Sequence, residues 1–249
     1  AYTGPADHLG DCLDGVYLLV KRHVARFGYR MLQADGRLSD LYVGFGEARE
    51  LARRGRGTTA VPSTSRYDGW PTTADAEADL RSHQDRMAAR LEASSGGDAH
   101  LPVEDLRGAY QLSDAQVRLV LAAAAPLLSV DLARFYTFAW ADFAVKVPTV
   151  GFLAELAADA PGDAAALADE LKGDGLLVRS RLVALRDVKS WGTPTPHLHR
   201  GVTVPEGVLA FLQGTRPGTS VDAPGRWWPA DAALPTDRLV LPDETRRDL

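Results

Sequence analysis

His197 and His199 flank Leu198 in an apolar, strand-like stretch, and on a strand that spacing turns both imidazoles to one face. Imidazole ligates zinc and titrates near neutral pH, so the pair is the first place to look for metal or proton chemistry. Two ligands make a poor site, however, and the single Cys12 and the scattered remaining histidines add no set with zinc spacing. The two histidines are therefore expected to be solvated or hydrogen-bonded, available to a protein partner, and no metal is expected. No GxxxxGK[ST] occurs, so the backbone cradle and lysine for a triphosphate are missing. No GxSxG selects a serine for a Ser-His-Asp triad. No catalytic residue and no cofactor-binding residue are assigned.

Charge and aromatic residues remain as candidates for recognition. The formal net charge of -5 argues against broad affinity for nucleic acid, which depends on neutralising phosphates with Lys and Arg. Arg53, Arg54 and Arg56, interleaved with Gly55 and Gly57, read as cations complementing a helix C-terminus ahead of a flexible loop, with nucleic-acid contact as the alternative. Tyr67 and Trp70 lie in the loop Gly57–Thr73, rich in Gly, Pro, Ser and Thr; with Trp191 they are the aromatic candidates for partner binding, beside His197 and His199. The pair Trp227 and Trp228 reads as an anchor for an irregular tail.

The elements that must position these groups are mostly helical. Leu9, Cys12, Leu13, Val16, Tyr17, Val20, Val24 and Phe27 form one stripe, with Gly28 as the expected stop. Cys12 on that stripe is expected to be a buried, inert thiol, and a lone cysteine fits a reducing cytoplasm. Residues Ala74–Leu91 repeat Ala76, Leu80, Met87 and Leu91, and are expected to pack antiparallel on the first helix. The small, polar run Ala93–Pro102 reads as a linker. Beyond it, Ser113 and Gln116 make a capping box, with Leu112 and Val117 placed to close a hydrophobic staple. Val117, Val120, Leu121 and Ala124 continue that helix until Pro126 ends or distorts it.

Ser129 is placed to cap a helix with Leu132, Phe135, Tyr136, Ala139 and Trp140 on one face; Val150, Leu153, Ala154 and Ala157 mark another, and Phe135, Trp140 and Phe152 are expected to be buried. Asp163 is expected to cap a short helix carrying Leu167 and Leu171, ending at Gly173. Strand-like runs follow over Leu176–Val178 and Leu182–Leu185. Thr193–Pro196 forms an exposed tip, and Leu198–Val204 returns. Thr203 and Glu206 propose a second capping box for a last helix bearing Val204, Val208, Phe211 and Leu212, stopped by Gly214.

Helices followed by a hairpin predict a mainly α (α+β) chain: an N-terminal helical subdomain over 1–100, a winged-helix domain over 101–214 with a small hairpin wing, and a tail over 215–249. The ordered set Leu112-Ser113, Ala122–Pro126, Phe135 with Tyr136, and Pro148–Gly151 resembles the winged-helix domain that precedes the ATPase core in AAA+ ATPases associated with bacterial contractile injection systems. A weaker echo lies in Leu41–Val43 ahead of Glu47–Leu51, and the closing Arg238–Leu249 resembles the lead into the core.

That resemblance implies a non-catalytic module that engages partner or substrate proteins of a phage-tail-like particle for its assembly, remodelling or loading. It further implies a cytoplasmic parent whose homo-hexameric core, with ATP and Mg, is absent from these residues. A winged-helix transcription regulator is the alternative, with Arg179, Arg181, Arg186 and Lys189 as its basic residues, and an enzyme with an unrecognised site ranks last. No apolar run reaches the eighteen or so residues of a membrane span, and the first residues lack signal features.

Overall fold

The computed structural model describes residues 1–32, 72–96, 100–140, 147–187 and 195–215. Tyr67, Trp70, Trp191, Arg53, Arg54, Arg56, Lys189, Trp227, Trp228 and the upstream echo at Leu41–Val43 lie outside them. Residues Ala1–Thr215 form one compact unit.

Helix α1, Pro5–Leu32, buries the predicted stripe from Leu9 to Val24. It begins where Asp7 accepts hydrogen bonds from the Thr3 amide and hydroxyl, and it continues through Gly28 rather than stopping there. A glycine costs an interior helical position only about 1 kcal/mol relative to alanine, which does not terminate a long helix. Helix α2, Thr73–Ser94, opens on a capping box between Thr72 and Asp75. It runs antiparallel to α1, as predicted: Lys21 meets Asp79 at 2.7 Å and Arg26 meets Glu77 at 2.8 Å at one end, while Arg90 bridges Asp7 and Asp11 at the other.

Helix α3, Pro102–Tyr110, leads into α4, Asp114–Leu128, where Ser113 and Gln116 form the expected reciprocal cap and the staple residues Leu112 and Val117 are buried. Pro126 sits inside α4, two residues from its end. Proline has no amide hydrogen, so the Ala122 carbonyl one turn earlier lacks its helical donor; the Tyr136 hydroxyl donates to that oxygen at 2.8 Å instead.

Tyr136 belongs to α5, Val130–Trp140, which turns away from α4 by 113° and buries Leu132, Phe135, Tyr136 and Ala139. Trp140 is only partly buried, its ring tilted 51° to that of the buried Phe152 at 5.6 Å. Thr149 caps α6, Val150–Ala157, by accepting from the Phe152 amide, and six of its eight residues are buried.

A 3₁₀ turn over Pro161–Asp163 joins α6 to α7, Ala164–Glu170. Here the expected cap fails: the Asp163 carboxylate reaches back to the Ala160 amide at 3.0 Å and makes no bond to α7. Gly173 also differs from expectation, since among the described glycines Gly214 alone has positive φ; α7 closes through the Leu171 and Lys172 amides on Ala168 and Asp169. Leu176–Arg179 forms the one-turn helix α8 instead of a strand. A three-residue apolar run carries too little periodicity to separate the two states. The Leu182 and Val183 amides both close on the Leu177 carbonyl, which holds Arg181 at φ 58°.

Strands β1, Ala184–Arg186, and β2, Gly201–Thr203, pair antiparallel with Leu185 opposite Val202. Thr149 bridges Gly201 on the other side of β2, so β2 lies between β1 and the start of α6. Gly201 is required by close approach: a Cβ there would stand 2.5 Å from Val147 Cγ2.

The predicted histidine strand is a 3₁₀ turn, His197–His199, because its amides close back on Pro196 and His197 rather than across a ladder. Thr195 is buried, so the Thr193–Pro196 segment is not wholly an exposed tip. The second capping box is absent as well: Thr203 lies in β2 with its hydroxyl on the Ala184 carbonyl, and α9, Glu206–Leu212, starts after Pro205 without a side-chain cap. Gly214 stops α9 as predicted, at φ +74°. The resulting order, helices followed by a two-stranded hairpin, is a mainly helical α+β fold with a small wing.

Candidate functional site

In a winged helix, the second helix of the helix-turn-helix presents side chains to a ligand, and here that position belongs to α7 after α6. The turn between them is held by arginines from distant helices. The buried Arg22 of α1 donates to the Leu156 and Ala158 carbonyls at 3.1 and 2.7 Å, capping the C-terminal end of α6 with a cation. Arg26 adds a bond to the Asp159 carbonyl, and Arg118 of α4 grips the Asp159 carboxylate with two nitrogens at 2.5 and 2.8 Å. The hydrogen bond from Arg118, with the nearby cations, holds the Asp159 carboxyl below its ordinary range, while burial lowers the Arg22 pKa.

What this clamp positions is a face poor in donors. The exposed side chains of α7 are Ala165, Ala166 and Asp169, and Asp169 pairs with Lys172. Arg, Lys, Asn and Gln, the side chains that read base edges, are absent from α7. Basic groups lie instead at the end of α8 and just beyond it, where Arg179 and Arg181 are exposed; at the wing base, Arg200 pairs with Asp187, and Arg186 reaches the Thr203 hydroxyl.

Of the residues singled out by sequence, His197 and His199 both lie in the 3₁₀ turn that precedes β2. The His197 Nε2 is 2.8 Å from the Ala168 carbonyl, so it acts as a donor that pins the 3₁₀ turn to α7. No cluster of three or more metal-ligating side chains exists among the described residues.

A Cys–His contact that sequence spacing did not raise occurs within α1, where the Cys12 Sγ and His8 Nε2 lie 3.6 Å apart. It is unsuited to nucleophilic catalysis. Glu104 approaches the same Nε2, at 3.8 Å, rather than orienting the ring from Nδ1, and burial pushes the thiol up to about 12. Cys12 is the buried core thiol expected from its stripe.

Sequence reasoning missed Arg22, Arg118 and Asp159. The available signal was Arg22 and Arg26, two like charges one helical turn apart along a buried stripe, which ask for anionic or carbonyl partners.

The family model described as "Winged helix domain, variant" matches residues 1–224. Neither the comparison with curated proteins nor that with solved structures gives a match. With most of its length covered, and with the hairpin and helix order in place, this chain belongs to the winged helix domain, variant, family.

Proposed function

We propose that this chain is a non-catalytic, protein-binding winged-helix module of an AAA+ ATPase that serves a contractile injection system, presenting partner or substrate proteins to a hexameric motor. The observation that carries the protein-binding half is the exposed face of α7, two alanines and an aspartate where a DNA reader places hydrogen-bond donors. The net charge of -5 weighs the same way. The link to an injection-system ATPase rests on the ordered residues Leu112-Ser113, Ala122–Pro126, Phe135-Tyr136 and Pro148–Gly151. ATP, Mg and the hexameric contacts belong to the proposed parent's core. Capture from lysate of the source organism, read by mass spectrometry, tests the proposal: sheath, tube, baseplate or cargo proteins are expected, and their absence would overturn the assignment.

A DNA-binding regulator is the second proposal, favoured by the exposed Arg179 and Arg181 beside the wing. Those two cations would position the module on phosphates with a salt slope of only about -2, and sequence selectivity would have to come from other side chains.

A further inference from the structure

His8 is completely buried where the segment ahead of α1 meets the end of α2 and the first turn of α3. Its surroundings suit a neutral imidazole and no other form. Among the described residues Nδ1 has no hydrogen-bond partner, and Nε2 has only the Cys12 Sγ at 3.6 Å and the Glu104 Oε1 at 3.8 Å, the second beyond hydrogen-bonding distance. The neutral ring leaves one lone pair idle. Imidazolium carries a hydrogen on both nitrogens and would bury an Nδ1–H without an acceptor.

The charges around the ring do not offset that cost. Glu104 is held by Arg107 at 3.0 Å and Asp11 by Arg90 at 2.6 Å, so both carboxylates near His8 already have a guanidinium. Burial therefore outweighs Glu104 and Asp11 and keeps the His8 pKa below its ordinary value.

The cover over the ring is slight. Tyr2, 4% exposed, lies across it with ring centroids 4.6 Å apart. Its amide donates to the Ser94 hydroxyl at 2.7 Å, its hydroxyl donates to the Asp11 carboxylate at 3.1 Å, and the Arg90 guanidinium stands 4.1 Å from its ring centre. The Thr3 amide and hydroxyl, on Asp7, fasten the same segment. Lifting these few residues uncovers His8 without unpacking a helix.

We propose that residues 1–4 are an acid-released strap: protonation of His8 lifts Tyr2 from the junction of α1, α2 and α3 and admits water to the ring, while the helices beneath stay folded. The strap adjoins the end of α9, because Pro5 packs so closely on Gly214 that a Cβ there would stand 2.6 Å from Pro5 Cβ. The closed form binds the proton less well than the open one, so closure is complete above about pH 6.5 and declines as pH falls through the lowered pKa. An open ring titrating at 6.5 raises the opening equilibrium about thirtyfold at about pH 5 if the closed ring stays neutral.

Solvent exchange of the Tyr2 and Thr3 amides in the full chain, read by NMR between about pH 8 and about pH 5 and corrected for intrinsic rates, tests the strap. Their protection is expected to fall at least tenfold on acidification, with that of Leu119 in the α4 core unchanged. His8→Gln is expected to remove the pH dependence; His8→Leu serves the same purpose if the first variant does not fold. In Tyr2→Ala the ring is uncovered at every pH, and the His8 midpoint read from its ring resonances is expected to rise toward 6.5. Protection that survives acidification, or an acid loss that persists in a folded His8 variant, would overturn the proposal. So would loss of Leu119 protection at the same pH, which is unfolding of the whole unit, or a His8 midpoint unmoved by Tyr2→Ala.

Discussion

Removing the Tyr136 hydroxyl should expose the cost of the proline in α4. Pro126 has no donor for the Ala122 carbonyl, and the Tyr136 hydroxyl is its partner at 2.8 Å from another helix. Ala122 and Tyr136 are both buried, so no water replaces the hydroxyl in Tyr136→Phe. A buried carbonyl left without its partner costs about 1–3 kcal/mol. For a unit of this size, 2 kcal/mol corresponds to a Tm shift of about 4–8 °C.

The control is Pro126→Ala, which restores an amide that donates to Ala122 within the helix. In that background Tyr136→Phe should cost under about 1 kcal/mol, giving a coupling energy of about 1–2 kcal/mol between two positions ten residues apart. Urea denaturation of the wild type, both single variants and the double variant measures it. An equal cost of Tyr136→Phe in both backgrounds would refute the argument that the hydroxyl substitutes for the missing amide.

Three further outcomes follow from the packing. Burial pushes the His23 pKa from 6.5 down to about 4, so its neutral form contributes stability that is full above about pH 6.5 and lost as pH falls toward 4, on the order of 3 kcal/mol in all; His23→Gln should flatten the stability–pH curve over that window in calorimetry, and an unchanged slope would count against it. Gly201→Ala must displace the Val147 side chain and should cost about 1–3 kcal/mol, whereas Gly173→Ala, with open space around it, should be neutral or stabilising in thermal melts. Arg181→Gly relieves a left-handed backbone at an exposed side chain and should raise stability by about 0.5–1 kcal/mol; a loss would mean that the guanidinium holds the turn.

The fold was legible where local chemistry decides structure. The Ser113–Gln116 box, the α1 stripe and the Gly214 stop each need only neighbours within a turn or two, and each is present. Legibility failed where a short segment had two local solutions. Leu176–Val178 is apolar enough for a strand but is drawn into a helical turn in which the Leu177 carbonyl accepts from the Leu182 and Val183 amides, and Asp163 found the Ala160 amide before any amide of α7. It failed again where the partner is distant in sequence. Arg22 satisfies carbonyls 134 and 136 residues away, and no pattern around Arg22 names Leu156 or Ala158. The aromatics Tyr67, Trp70 and Trp191, expected to bind a partner, lie outside the described residues.

The central claim, that this winged helix binds protein rather than DNA, meets its most direct test in a salt-graded titration of labelled duplex DNA with the full chain. The α7 face predicts no sequence-selective binding at any salt concentration, with at most a weak association at low salt that Arg179→Ala and Arg181→Ala abolish. Saturable, sequence-selective binding that persists at physiological salt would contradict the account and make the chain a regulator.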